Sequence, residues 1–236
     1  MTRGKTVSKL VRLDDVTPQA WKNGAGTTRE LLAGPSPQHW QYRISVANID
    51  RDAPFSAYPH VQRWFTVIDG AGVALRFSNA STLAEMDATE QRLTCGDPPL
   101  RFDGDQAPHC RLLSGPTRDL NLMLRGVSGG MYRATTNGEW RSAGPQAGLF
   151  SAHGGQVELS SGKIFSMPAM SLLWFEKAVA LTMRFQPGTA AIAETEASAQ
   201  TEANTETEAN AQTDANAKVD ALTTPLLSAW WLYCGG

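Results

Sequence analysis

The chain has 236 residues, 42% of them apolar, with a formal net charge of −2 and a pI near 6.1. That is enough for one large or two small packed domains, and the weak acidity offers no basic footprint for nucleic acid. No run reaches the ~20 apolar residues of a membrane span, the basic N-terminus lacks the apolar core of a secretory signal, and Cys95, Cys110 and Cys234 make no disulfide framework, so a cytoplasmic protein is expected.

In chain order, residues 7–13 alternate loosely and predict a first strand, ended by Asp14, Asp15 and Pro18. Trp21 to Glu30 is the densest cluster of unusual residue types: Trp21, Lys22, Asn23, Gly24, Ala25, Gly26, Thr27, Thr28, Arg29, Glu30. Gly24 and Gly26 permit positive φ or close backbone approach, and such a turn can cradle an anion. It matches neither of the common phosphate-loop patterns. Taken alone it reads as a hairpin turn beside an ion pair. Residues 30–33 continue as a strand, stopped by Gly34, Pro35, Ser36 and Pro37. Residues 40–49 are a clear strand, with Tyr42, Ile44 and Val46 on one face and Arg43, Ser45 and Ala47 on the other. Residues 50–60 hold two prolines and read as a loop. Residues 63–68 and 73–77 flank the turn Asp69-Gly70-Ala71-Gly72, the best hairpin signal in the chain. Residues 97–104 bracket a short strand. Residues 118–125 alternate again, Leu120, Leu122 and Leu124 against Asp119, Asn121 and Met123.

Beyond a link at Ser128-Gly129-Gly130, short strands are expected at 131–134, 148–152, 156–159, 172–175 and 179–185. Short strands between Gly/Pro turns argue an all-β barrel or sandwich. Two consecutive barrels fit the length, residues 1–127 and a smaller one at 128–236. Residues 190–221 differ in kind: Ala, Glu, Thr, Asn and Gln with no aromatics and no apolar stripe. They read as a disordered, low-complexity insertion before a last strand at 225–233.

Four blocks resemble the HutD/Ves family. The first is the Trp21-to-Glu30 run; the second is Tyr42-Arg43-Ile44-Ser45-Val46-Ala47. The third is Pro54-Phe55-Ser56 with Tyr58-Pro59 and Arg63; the fourth is Asp119-Leu120-Asn121-Leu122-Met123. The resemblance covers most of residues 10–185 and departs at Ala25, at Ala53 and in the polar tract. It implies a metal-free, cupin-like double β-barrel (a bicupin of jelly-roll type) with no cofactor. It also implies a link to histidine-utilisation operons, but no established reaction.

The residues themselves agree on metal. His39, His60, His109 and His153 stand far apart with no His-x-His, so no metal site is expected. Cys95 and Cys110 carry no nucleophile signature. His60 reads as a solvent-facing loop residue or, alternatively, an acid or base. What remains is a polar set on apolar strands: Arg43 and Ser45, Arg63, Asp119 and Asn121, together with Asn23, Thr28, Arg29 and Glu30 from the Gly-rich run. Each polar face alone suits solvent; several together favour a shared pocket inside a barrel. Asp119 and Glu30 can partner buried arginines, leaving Arg43 or Arg63 for an anionic ligand.

The expected function is binding of a small carboxylate metabolite, by resemblance urocanate or formylglutamate, to regulate or buffer histidine utilisation. The alternatives are an isomerase or hydrolase using a carboxylate or His60 as base, and an interaction module whose polar set is only an ion-pair network. The expected partner is a small anionic metabolite, not nucleic acid or membrane, and a homodimer is compatible with covering sheet edges. Because the 190–221 tract has no apolar area to bury, replacing it with a short Gly/Ser linker should shift the urea midpoint by the equivalent of less than about 1 kcal/mol. A loss of several kcal/mol would show that the tract packs.

Overall fold

The computed structural model describes residues 8–77, 90–188 and 228–235. They form nineteen strands and two single-turn 3-10 segments, Leu13–Asp15 and Gly104–Gln106. In chain order the strands are β1 (Ser8–Arg12), β2 (Gln19–Ala20), β3 (Gly26–Gly34), β4 (Tyr42–Ile49), β5 (Ala53–Pro54), β6 (Val61–Asp69), β7 (Val73–Arg76), β8 (Glu90–Leu93), β9 (Leu100–Asp103), β10 (His109–Leu112) and β11 (Thr117–Arg125). There follow β12 (Gly129–Arg133), β13 (Glu139–Arg141), β14 (Gln146–Ser151), β15 (Gly155–Leu159), β16 (Ile164–Met167), β17 (Ser171–Phe175), β18 (Thr182–Pro187) and β19 (Ala229–Cys234). No helix among the described residues is long and apolar enough to cross a membrane.

Alternation decides the layering. In β4 and β11 the apolar faces, Ile44, Val46, Leu120 and Leu122, meet Phe150, Leu172, Trp174 and Trp230 in one buried cluster. That cluster joins the six-stranded sheet, order β2-β3-β4-β11-β6-β9, to the five-stranded sheet, order β1-β17-β14-β19-β12. The other face of the six-stranded sheet packs Ile49, Phe65, Val67 and Phe102 against Leu75, Leu93 and Cys110 of the sheet β5-β10-β7-β8. The other face of the five-stranded sheet packs Leu149, Phe175 and Trp231 against Val157, Met183 and Phe185 of the sheet β13-β18-β15-β16. Four antiparallel sheets thus enclose three apolar layers. Each fully buried large side chain contributes ~1.5–3 kcal/mol.

Several strand expectations need adjustment. The turn at residues 69–72 is not a hairpin. β6 pairs with β11 and β9, whereas β7 pairs with β10 and β8. Gly70 and Gly72, at φ +92 and +110, carry the chain from one sheet to the one facing it. A Cβ at Gly72 would collide with the Leu93 carbonyl. Two alternating runs flanking a tight turn look the same whether the turn joins neighbours or rounds a corner. β3 starts at Gly26, so half of the Gly-rich run is strand. β8, β10, β13 and β16 are three- or four-residue strands too short to show a period.

The 190–221 tract lies outside the described residues. The last strand, β19, lies inside its sheet between β14 and β12. At the other end of the chain, β1 pairs with β17. Trp230 of β19 is fully buried. Trp230→Ala should cost about 3–5 kcal/mol in equilibrium unfolding, while Val179→Ser, at a position 78% exposed, should stay within about 0.5 kcal/mol.

Candidate functional site

Register aligns three rows of side chains across β3, β4, β11 and β6. They are Thr28–Ala47–Asp119–Val67, Glu30–Ser45–Asn121–Phe65 and Ala33–Arg43–Met123–Arg63. All project from the face opposite the Leu120/Leu122 layer, because successive side chains alternate. A bulge between Glu30 and Leu32 keeps the rows aligned while Leu31 and Leu32 both join the central core. An open cavity of about 610 Å³ lies over these rows, within the usual range for small-molecule sites. Its lining adds Trp21, Lys22 and Asn23 on one side and Phe55, Ser56 and Tyr58 on another.

The two arginines in the cavity wall differ in their partners. Arg43 Nε lies 2.7 Å from Glu30 Oε2. Its N–H is misaligned for a hydrogen bond there, so the contact is an ion pair. Arg63 is 5% exposed and has no carboxylate within ion-pair distance among the described residues. Its Nη2 donates to Asn121 Oδ1 at 3.0 Å, and its Nε and Nη1 are buried without a partner. Aromatic rings surround it instead: Phe102 at 4.9 Å, Phe55 at 5.1 Å and Tyr58 at 5.7 Å from the guanidinium carbon. Burial lowers the Arg63 guanidinium to about 10, opposed by Tyr58 and assisted by Arg43. It therefore stays charged at neutral pH, the one buried cation among the described residues.

The Gly-rich run acts on the cavity through Trp21. The Gly24 amide donates to the Trp21 carbonyl at 3.0 Å and the Ala25 amide to Asn23 Oδ1 at 3.1 Å. Those N–H groups are already engaged, so they do not form an open anion nest. Gly24 takes φ +68, and a Cβ on Gly26 would clash with the Asn48 carbonyl. Trp21 Nε1 donates to Thr28 Oγ1 at 2.7 Å, and the indole meets Phe55 edge-to-face at 6.4 Å.

Of the residues singled out from sequence, Asn23, Thr28, Arg43, Ser45, Arg63 and Asn121 line the cavity. Glu30 stands beside it as the partner of Arg43. Arg29 pairs in register with Val46 and donates through Nε to the Val16 carbonyl at 3.1 Å, away from the lining. His60 is exposed, at φ 60, with its amide donating to Asp105 Oδ2 at 3.4 Å. Asp119 is completely buried beside the lining; Thr117 Oγ1 donates to its Oδ2 at 3.0 Å, and Oδ1 has no partner. It meets neither arginine, so the expected ion pairing takes the form Glu30–Arg43 alone. Trp21, Lys22, Phe55, Tyr58 and Met123 were not singled out, although all but Lys22 stand in the motif blocks as bulky apolar or aromatic residues. Among the described residues no three His, Cys, Asp or Glu converge as a metal site would need.

A profile of the HutD family matches residues 13–193. A 21.2 kDa protein of Pseudomonas putida, named for the hutC 3′ region, is 31% identical over 49% of this chain and 57% of its own length. Protein Ves of Citrobacter koseri is 33% identical over 60% of this chain and 67% of its own. The chain thus matches between about half and two thirds of the length of these curated relatives. Among solved structures, a conserved protein of unknown function from Pseudomonas aeruginosa PAO1 superposes with a TM-score of 0.66 at 25% identity, covering 78% of this chain and 94% of that one. HutD from Pseudomonas fluorescens SBW25, solved in a formate condition, gives 0.63 at 23% identity, covering 77% and 100%. The all-β class expected from sequence is the class observed, and the same fold is seen in HutD from Pseudomonas fluorescens.

Asp119 supplies a pH test. Burial pushes its carboxyl well above the usual carboxylate range, with Thr117 acting the other way. The folded state therefore keeps a proton that the unfolded chain has lost above about pH 4. Folding binds protons, so this group's contribution falls as pH rises from about 4 towards the folded pKa. Asp119→Asn, neutral at every pH, should be more stable than the parent at pH 7.5 in urea unfolding, with the gain shrinking as pH falls to 4.5.

Proposed function

We propose that this chain, which belongs to the HutD family, binds a small carboxylate metabolite of histidine breakdown, of the urocanate or formylglutamate type, in the cavity over β4, β11 and β6. The observation that carries the reading is Arg63: a buried guanidinium with two partnerless nitrogens and no facing carboxylate. An uncompensated buried charge is costly. A ligand carboxylate supplies the missing partner through charge-assisted bonds in the plane of the fork. Glu30 already serves Arg43, so among the described residues Arg63 is the buried cation left for the ligand, with the exposed Lys22 at the cavity lining. The name of the Pseudomonas putida relative, which places it beside hutC, supports the link to histidine utilisation and a role as regulator or buffer of that pathway.

On this reading the chain is a bicupin in which the first barrel holds the ligand. What supports that division is the contrast between the two outer layers. The layer holding Phe65 and Val67 also borders the polar rows with buried Arg63 and Asp119, whereas the buried polar residues on the strand faces of Leu149 and Phe175 are the uncharged Ser151 and Ser171.

Urocanate, formylglutamate and formate should each raise the melting temperature; a ligand at about 100 times its Kd adds ~2.7 kcal/mol to a folded state that alone binds it. Arg63→Met should weaken binding by roughly ten- to a hundredfold. Without ligand its unfolding midpoint should stay within about 1 kcal/mol of the parent, since relief of the buried charge offsets the acceptor left open on Asn121. Arg63→Lys should also weaken binding, because the planar fork is lost. Unchanged affinity in both variants would remove Arg63 from the site.

A further inference from the structure

We propose that the cavity selects carboxylates whose body is flat and conjugated with the carboxylate, and that Trp21, held by Thr28, sets this preference. The proposal rests on the carboxylate reading above and narrows it to a ligand class.

Geometry at Arg63 comes first. A carboxylate paired with a guanidinium lies in the guanidinium plane. The Phe55 and Tyr58 rings, 5.1 and 5.7 Å from the guanidinium carbon, also line the cavity. A body conjugated with its carboxylate stays in that plane as it leaves Arg63. A saturated ring is thicker and departs from it.

The walls beyond Arg63 are aromatic. Phe65, Phe55 and Trp21 line the cavity together, with Phe55 and Phe65 at 5.6 Å and Trp21 and Phe55 at 6.4 Å and 86°. The indole is held at both ends. Its Nε1 donates to Thr28 Oγ1 at 2.7 Å, and its backbone is fixed by Trp21 N donating to Gly26 O at 2.9 Å and Gly24 N donating to Trp21 O at 3.0 Å. A wall restrained in this way discriminates by thickness, because it cannot swing aside without breaking the Thr28 bond. Charge points the same way. Arg43 is matched by Glu30, so among the described residues Arg63 is the unmatched cation in the depth of the site, suited to one anionic group.

The test compares benzoate with cyclohexanecarboxylate by calorimetry. Both carry one carboxylate on a six-membered ring, but one ring is flat and conjugated and the other puckered with more apolar surface. Burial of apolar area alone favours cyclohexanecarboxylate; ring–ring packing favours benzoate by about two- to tenfold. Net of the opposing apolar term, the parent protein should prefer benzoate by about two- to fivefold, and in Trp21→Leu and Thr28→Val that preference should vanish or reverse. Equal affinities in the parent, or a preference that survives in both variants, would overturn the proposal. If Trp21→Leu does not fold, Thr28→Val decides, since it keeps the indole and nearly the same volume while removing the acceptor. Failure of formate, benzoate and cyclohexanecarboxylate alike to bind the parent would reject the carboxylate reading itself. Arg63-dependent binding of both ring acids without a benzoate preference would leave that reading standing and remove only this inference.

Discussion

The six-stranded sheet is buried on both faces, and that constraint governs the rest of the structure. One face of β4 and β11 is apolar over Tyr42, Ile44 and Val46 and over Leu120, Leu122 and Leu124, and joins the central layer. The other carries Ser45, Asp119 and Asn121, each 4% exposed or less. A sheet covered on both sides has to match its inward polar groups with partners from its own side chains, since water reaches few of them. Glu30 meets Arg43, Asn121 meets Arg63, and Thr117 meets Asp119. Hydrogen bonding is incomplete at Arg63, at Asp119 Oδ1 and at Arg43 Nε, the last of which keeps its ion pair with Glu30. Arg63 borders the cavity, and Asp119 lies beside its wall.

Burial acts on these two residues in opposite chemical directions. Burial pushes the Asp119 carboxyl upward, which favours its neutral form. Arg63 falls only to about 10 and remains a cation at neutral pH. The interior therefore holds an unmatched positive charge, ringed by aromatic faces that soften but do not cancel it. Asp119 makes no ion pair with either arginine; its hydrogen-bond partner is Thr117.

The Gly-rich run shows how a motif can matter without touching a ligand through its backbone. Its amides close the turn on itself, and what it delivers to the cavity is a fixed indole. Thr28 lines the cavity, but its hydroxyl is occupied by Trp21. Arg29, one position along, falls on the opposite face of the strand for the same reason that Thr28 faces inward: the pleat alternates side chains.

Much of this was legible in the residues taken in order. The two faces of β4 and of β11 were readable because an alternating run states its own buried and polar sides, and Arg43, Ser45, Arg63 and Asn121 all came to the cavity wall as that alternation implied. The carboxylates were readable as partners, but not which arginine each would meet. His60 and Arg63 stand three positions apart, and nothing local separates an exposed residue at the turn from a buried one in the strand. β6 and β7 looked like neighbours and belong to facing sheets. The sequence alone therefore determined the all-β class, the polar sides of β4 and β11 and the family. Only the tertiary structure decided which strands lie side by side, that Glu30 takes Arg43 and leaves Arg63 unmatched, and that Trp21 walls the site. Alternation repeats every two residues and is set by the backbone pleat, whereas those pairings join residues tens of positions apart and depend on which sheets close over one another.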